Sequence, residues 1–286
     1  MSARGLVVTG TPRPGDDAAV LALAGSVPEW FRLSDETGGA HVAWVLAGDD
    51  AWPAAVTAAL AAGADAVVVD SPRVVTPEDV TALAGAARPV VLAARRSHAP
   101  QVRMLARLVA PVRPDVAWVE CLVVDGGDGP LDPQAAAWDA LATLTAAGLE
   151  VDRVVDVVVR PTALLIDALA GSARVHVTCV RSLAATPRLR IAAFGAFGSL
   201  LATAEDSSVA FPGEVVRVDA DGAHAQPTDH RTARLVAAGE VHAALGAGLD
   251  PISLLSAYSP TATLVSQVFR GGGRQAAPQP NGKEHN

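Results

Sequence analysis

The sequence predicts an α/β protein with a trimmed Rossmann-like parallel-sheet domain, followed by an α+β domain with a large, mostly antiparallel open sheet. In the first part, apolar strands of about six residues alternate with helices of about ten, which is typical of βαβ units around a parallel sheet. From Val116 onward, strand candidates follow one another with hardly a helix between them, which favours an antiparallel sheet. Half of the 286 residues are hydrophobic, so the chain can bury a sizeable core.

The first predicted domain covers residues 1–113. Its clearest helix start is Thr76-Pro77-Glu78-Asp79, with Thr as N-cap, Pro at the first helical position and acids in the first turn. The other helices are predicted at Asp16–Ala24, Trp52–Ala62 and Pro100–Val109. The strands are predicted at Gly5–Gly10, Trp30–Asp35, His41–Ala47, Asp65–Asp70 and Pro89–Ala94.

The second predicted domain covers residues 114–270 and ends with two helices, Asp229–Leu245 and Pro251–Phe269. A third helix, Asp132–Ala147, follows its first strand. The strands are predicted at Val116–Val124, Val151–Arg160, Thr162–Leu169, Ala173–Arg181, Arg188–Phe194, Ser199–Ala204 and Glu214–Asp219. Residues 271–286 have the glycine-rich, polar composition of a disordered tail.

Composition excludes several classes of function. The net charge of −8 argues against nonspecific nucleic-acid binding, which needs a basic face. No apolar run approaches the roughly 20 residues of a membrane span, and Met1–Arg4 is too short for a signal peptide. Cys121 and Cys179 stand alone in strand-like segments, which favours buried, reduced thiols. We therefore expect a cytoplasmic protein without nucleic-acid or membrane partners.

Several segments, in order along the chain, resemble one protein family. Ala58–Leu83 (AALAAGADAVVVDSPRVVTPEDVTAL) is similar to the middle of the glucose-fructose oxidoreductase / inositol dehydrogenase (Gfo/Idh/MocA) family. Pro89–Leu108 resembles that family's segment with paired arginines, Arg188–Asp206 its hairpin in the second sheet, and His230–Phe269 its closing pair of helices. The resemblance covers roughly residues 40–270 and implies the family's fold and an NAD(P)-dependent oxidoreductase ancestry.

The family's glutamate-lysine-proline signature stands here as Asp70-Ser71-Pro72. In relatives that lysine contacts substrate and cofactor and supports proton transfer. Serine is short and neutral, so it cannot place a cation or donate a proton at a useful pKa unaided. The only lysine of the chain is Lys283, in the tail. By position, the resemblance makes Asp70 and Ser71 catalytic candidates and Pro72 a cofactor contact.

A second family signature is a histidine early in the first helix of the second domain, with an aspartate shortly after it. That histidine position falls at or near Trp138, and no histidine lies between His98 and His176. Asp139 is the nearest polar residue. Trp138 is therefore a candidate substrate contact and Asp139 a candidate catalytic acid, with an exposed helix-surface acid as the competing interpretation.

The cofactor signature departs from the expected pattern as well. A dinucleotide fold needs G-x-G-x-x-G after the first strand, so that backbone N–H groups can meet pyrophosphate. Here Gly10–Gly15 reads GTPRPG, and Pro12 has no N–H and crowds the approach. Gly10, Thr11 and Asp35 still stand where cofactor contacts would. The resemblance implies that the chain binds NAD(P), whereas the sequence of this loop argues against it. No metal is expected, because no cluster of residues has metal-ligand spacing.

The turn after the fifth strand supplies the remaining candidates. Arg95 and Arg96 match the family's paired arginines, and we expect one of them to be structural and the other to contact substrate. His98 is the most plausible acid–base residue of the predicted cleft, because the ordinary pKa of histidine lies near neutrality. A lone histidine is also a common structural residue, so that interpretation stays open.

Three functions follow from these departures. The first, favoured because Ser71, Trp138 and Pro12 depart together, is a noncatalytic or partner subunit in small-molecule metabolism. Family relatives commonly dimerise through the outer face of the second sheet, which implies a homo- or hetero-oligomer, for example with an intact paralogue. The second is an enzyme with altered chemistry on a small polar or secondary metabolite, using Asp70, His98 or Asp139. The third is an NAD(P)-dependent dehydrogenase or reductase with atypical residues.

Overall fold

The computed structural model describes residues 4–11, 16–34, 41–47, 49–73, 75–84, 86, 88–205, 213–247 and 257–270. They form a five-stranded sheet and an eight-stranded sheet with helices packed against both. The predicted fold class, a parallel sheet followed by a large mixed sheet, is confirmed. The predicted tail, residues 271–286, lies outside the described residues.

The first sheet is parallel throughout and has the strand order β2-β1-β3-β4-β5. Its strands are β1 (Arg4–Thr11), β2 (Phe31–Leu33), β3 (His41–Ala47), β4 (Ala66–Asp70) and β5 (Val90–Ala93). Its helices are α1 (Asp16–Ser26), α2 (Trp52–Ala61), α3 (Pro77–Ala84) and α4 (Pro100–Val109). Because β3, β4 and β5 are buried along their whole length, their sequences are continuous apolar runs rather than alternating ones.

The second sheet has the strand order β13-β12-β11-β10-β6-β9-β8-β7 and is antiparallel except between β6 and β9. Its first strands are β6 (Val116–Gly126), β7 (Arg153–Arg160), β8 (Ala163–Ala170) and β9 (Ala173–Ser182). The others are β10 (Arg188–Gly195), β11 (Gly198–Ala204), β12 (Glu214–Asp219) and β13 (Gly222–Ala225). The helices of this half are α5 (Pro133–Ala146), α6 (Ala233–Ala247) and α7 (Ser259–Arg270).

Helices from the second half of the chain cover the first sheet as well as the second. In α5, Leu141 and Leu144 pack in the core of the second sheet, whereas Trp138 and Ala142 pack in the core under the first. One face of the first sheet is covered by α6, which buries Val241 and its neighbours against it. The two sheets therefore share a helix, α5, whose side chains pack in the cores of both.

Both cysteines are free and buried within the second sheet, as expected. Burial raises the pKa of Cys121 to about 12 and places that of Cys179 well above its ordinary value, so both thiols are neutral packing groups. Among the described residues, no helix is long and apolar enough to cross a membrane.

Candidate functional site

A cleft of about 460 Å³ opens where β4, β5, β6 and β9 end and α5 begins. Ligands of open α/β sheets gather at the carboxyl ends of the strands, which makes this cleft the candidate site. Ser71 and Pro72 form part of its wall. Its charged lining residues are Arg73, Arg95, Arg96, Arg181, Asp125, Asp132 and Asp139.

Arg96 is one of the residues that line the cleft, with only 3% of its side chain exposed. Its Nη1 is ion-paired with Asp139 Oδ2, and its backbone N–H donates to Asp139 Oδ1 over 3.3 Å. Its Nη2 donates to Asp125 Oδ1 over 2.5 Å and to the Val124 carbonyl over 3.5 Å. One guanidinium thus joins the turn after β5 to β6 and to α5.

The charges of this network reinforce one another. Burial alone would lower the pKa of Arg96, but Asp139 and Asp125 outweigh it and hold that pKa above its ordinary value. For Asp125 the signs are reversed: burial would raise its pKa, but the neighbouring Arg96 and Arg95 keep that pKa below its ordinary value. Arg95 itself is 40% exposed and donates to Asp125 over 2.9 Å. Arg96 is thus the structural arginine of the pair, and a substrate contact by Arg95 stays a prediction.

Ser71 lines the cleft in an unusual backbone conformation. Its φ of 54° makes it the one non-glycine residue with positive φ in the described part of the chain. Its hydroxyl donates to Asp70 Oδ1 over 2.8 Å, and its N–H donates to the Ala93 carbonyl over 2.8 Å. A left-handed serine costs of order 1 kcal/mol, so packing around the ends of β4 and β5 must impose it.

Asp70 does not line this cleft, because its carboxylate turns toward α6, and its catalytic role stays a prediction. Asp70 Oδ2 accepts a hydrogen bond from Trp44 Nε1 over 3.0 Å and pairs with Arg234 Nε of α6 at 2.6 Å. Only 4% of the Asp70 side chain is exposed. The residue therefore holds α6 on the first sheet.

His98 also lies away from the cleft. It lines a second cavity of about 340 Å³ together with Arg103, Glu240 and Tyr258. Its Nε2 lies 3.1 Å from Glu240 Oε2, and its Nδ1 lies 2.9 Å from the hydroxyl of the buried Ser97. Burial lowers the pKa of His98, although the hydrogen bond to Glu240 opposes that shift. His98 therefore does not line the cleft of about 460 Å³, and its acid–base role stays a prediction.

Trp138 is a core residue and does not line the cleft, contrary to the prediction. Its side chain is buried, and its ring packs against Tyr258 with 5.9 Å between the centroids. Successive side chains of a helix point about 100° apart, so Asp139 can face Arg96 while Trp138 faces the core. Asp139 is therefore in the cleft as expected, but in an ion pair rather than exposed on a helix surface.

The predicted cofactor residues are only partly described. Gly10 has a φ of +90°, and a Cβ there would lie 2.4 Å from the Leu46 carbonyl, so this glycine is required for packing β1 against β3. Thr11 ends β1, Pro72 is buried and has no N–H, and Asp35 and Pro12 lie outside the described residues. Residues 12–15, which would form the phosphate loop, also lie outside the described residues, so NAD(P) binding stays a prediction.

Within the ranges that the structure describes, no group of three or more His, Cys, Asp or Glu side chains is arranged to hold a metal ion.

The fold is shared with solved oxidoreductases. KijD10, a 3-ketoreductase from Actinomadura kijaniata in complex with NADP, superposes with a TM-score of 0.68 at 15% identity, covering 96% of this chain and 99% of that one. The probable oxidoreductase yhhX superposes with a TM-score of 0.67 at 12% identity, covering 97% of this chain and 98% of that one. An oxidoreductase from Sinorhizobium meliloti superposes with a TM-score of 0.65 at 15% identity, covering 94% of this chain and 97% of that one.

The predicted resemblance to Gfo/Idh/MocA-type oxidoreductases is thus confirmed at the level of the fold. No family model matches the sequence, and a search of curated proteins finds no match.

Sequence reasoning missed the partners of the predicted residues. Asp125 pairs with Arg96, Glu240 with His98, and Arg234 with Asp70. Asp125 stands directly after an apolar strand, as site residues often do, and this signal could have identified it. For Glu240 and Arg234 the sequence carries no such signal, because both lie on a helix whose packing partner is remote in sequence.

Asp139→Asn should destabilise the protein because it removes one of the two carboxylates around a buried guanidinium. We expect the free energy of unfolding to fall by about 2–4 kcal/mol, measured by urea denaturation. The control is Asp132→Asn, which keeps an N-cap on α5 and alters only an exposed ion pair with Arg73, and should cost less than about 1 kcal/mol. Equal losses in both variants would contradict this role for Asp139.

His98→Gln should change the pH dependence of stability. Because the folded pKa of His98 is lowered, the unfolded chain binds more protons at that residue below about pH 6.5, and the free energy of unfolding falls as pH is lowered through that range. His98→Gln should reduce this slope, measured by urea denaturation across the range. His176→Gln, on the partly exposed face of β9, should retain it. An unchanged slope in His98→Gln would refute the lowered pKa of His98 in the folded protein.

Proposed function

We propose that this chain is a noncatalytic or partner subunit built on an oxidoreductase fold and working in small-molecule metabolism. The observation that carries the proposal is the placement of Arg96 between Asp125 and Asp139. The cleft of the fold is retained, while the acids that line it beside Arg96 are engaged in a structural ion pair. On this account the cleft binds a ligand rather than transforming it.

The residue types of the cleft support this role. Proton transfer near neutral pH is most efficient with a group whose pKa lies near 7. The charged groups lining the cleft are arginines and aspartates, whose ordinary pKa values lie far from 7, and the arginines lower the pKa of Asp125 further. Ser71 stands where the resembling family has its lysine, and its hydroxyl is hydrogen-bonded to Asp70.

An NAD(P)-dependent step is not part of the proposal. The Actinomadura ketoreductase is in complex with NADP, and a nucleotide cofactor is therefore the natural ligand to test on this fold. In this chain the predicted phosphate loop contains Pro12, and Gly10 serves strand packing. Pro12 opposes a dinucleotide at the end of β1, because it has no N–H to donate to a phosphate.

The outer face of the second sheet supports a partner role. Trp118 of β6 is paired in register with Phe194 of β10, and Val218 of β12 lies further along the same row through Ser199. These three apolar side chains are 37–40% exposed. An exposed apolar row on a sheet face is typical of an association surface, and a second copy of the chain or an intact relative would cover it.

An enzyme with altered chemistry is the second candidate, and one observation favours it. His98 and Glu240 are hydrogen-bonded at the wall of the second cavity, and Ser97 contacts the other imidazole nitrogen. A histidine paired with a carboxylate is a common acid–base unit. Saturable turnover that His98→Gln abolishes would favour this candidate over the noncatalytic one.

We expect NADH and NADPH at millimolar concentration to leave the thermal unfolding midpoint unchanged. A cofactor present at 100 times its Kd would stabilise the fold by about 2.7 kcal/mol, which is readily detected. ADP is the control, because it shares the adenosine diphosphate group and separates nicotinamide recognition from phosphate binding. Stabilisation by NADPH together with saturable NADPH oxidation would contradict the noncatalytic role.

Phe194→Asp should dissociate the oligomer because it places a charge in the apolar row on the outer sheet face. The measurement is molar mass by light scattering at micromolar concentration. Leu183→Asp is the matched control, since Leu183 is 79% exposed in the turn after β9 and outside that row. A monomeric parent protein with no partner on pull-down, or equal dissociation in both variants, would count against the association surface.

A further inference from the structure

We infer that the cleft recognises a small oxyanion, a carboxylate or phosphate group on a small molecule, with Arg181 and Arg95 as its binding residues. This inference rests on the proposed function, because it names the class of ligand that the retained cleft would hold. A volume of about 460 Å³ suits a small molecule of the size of a sugar acid or sugar phosphate.

The charge of the cleft opposes the charge of the chain. The protein carries a net charge of −8, yet four arginines and three aspartates line the cleft, which leaves a local surplus of one positive charge. A surplus cation inside a concave, partly desolvated site attracts anions more strongly than one on an open surface.

The pairing of the charges shows where that surplus lies. Arg96 is occupied by Asp139 and Asp125, and Arg73 is paired with Asp132. Arg95 shares Asp125 with Arg96 and is 40% exposed. Arg181 is therefore the guanidinium without a carboxylate partner among the described residues of the cleft, although its charge also acts on Asp125.

The guanidinium of Arg181 is held by a hydrogen bond to a backbone carbonyl and has N–H donors without a partner in the described structure. It lies near the end of β9, in register with Asp125 of β6. Its Nη1 donates to the Pro130 carbonyl over 2.8 Å, whereas its Nε is buried and has no hydrogen-bond partner within the described structure. The buried Nε cannot reach a ligand, but Nη2 also makes no hydrogen bond within the described structure, which leaves that end of the guanidinium for a carboxylate or phosphate.

The start of α5 adds a weaker contribution of the same sign. Ala135 and Ala136 of its first turns line the cleft, so the positive end of the helix dipole faces the same space. Its first N–H groups are already bound by the Asp132 cap, which limits this contribution to the dipole.

The test is isothermal titration of the full chain with inorganic phosphate, D-glucuronate and D-glucose. We expect binding of phosphate, glucuronate or both, weakening with salt, and no binding of glucose, which lacks the charge. Arg181→Gln should weaken anion binding at least about 10-fold, which corresponds to the loss of one charged hydrogen bond. Arg95→Gln should weaken it as well, and provides a second variant if Arg181→Gln does not fold.

Arg174→Gln is the matched control, because Arg174 is an exposed arginine near the start of the same strand and should leave affinity unchanged. Three results would overturn the inference: no anion binding at millimolar concentration, equal binding of glucose, or undiminished affinity in folded Arg181→Gln or Arg95→Gln. None of these three results bears on the noncatalytic role, which is tested separately by the NADPH experiments. Conversely, NADPH turnover would refute that role while leaving anion binding intact.

Discussion

The guanidinium of Arg96 is the group around which the two halves of the molecule are arranged. A buried cation is costly unless carboxylates and hydrogen bonds surround it, so its position requires Asp125 and Asp139 to converge on it. Asp125 belongs to β6, Asp139 to α5, and Arg96 to the turn after β5. The ion pair therefore fixes the distance between the parallel sheet and the mixed sheet, and with it the walls of the cleft.

Two further groups of polar contacts attach α6 to the first half of the chain. Asp70 binds Arg234, and Glu240 binds both His98 and Arg103, so that α6 is attached to the strand ends and to α4. Burial would raise the pKa of Glu240, but His98 and Arg103 hold it below its ordinary value. Residue types common in active sites thus serve here to attach helices of the second half of the chain to the first sheet.

This arrangement explains why the fold was predictable from the sequence and the site only in part. The fold depends on apolar runs and turn residues that are local, and β3, β4 and β5 lie where those runs predict them. Ser71 and Arg96 reach the cleft as expected because they follow directly from strand ends. Local sequence patterns are therefore sufficient to predict the strands and the residues that immediately follow them.

The direction of a side chain within a turn or helix depends on contacts remote in sequence. His98 follows Arg96 by two residues but faces Glu240, which is 142 positions away along the chain. Asp70 turns from the cleft because Arg234, 164 positions away, lies over it. No pattern near either residue predicts those partners, since both depend on how α6 packs.

The most direct test of this account is the coupling energy between Arg96 and Asp139, measured by urea denaturation of Arg96→Gln, Asp139→Asn and the double variant. Two groups in a buried ion pair should be strongly non-additive, with a coupling of about 2–3 kcal/mol. The account predicts that the double variant loses clearly less stability than the sum of the single variants. Additive losses, within about 0.5 kcal/mol, would contradict the claim that this ion pair joins the two sheets.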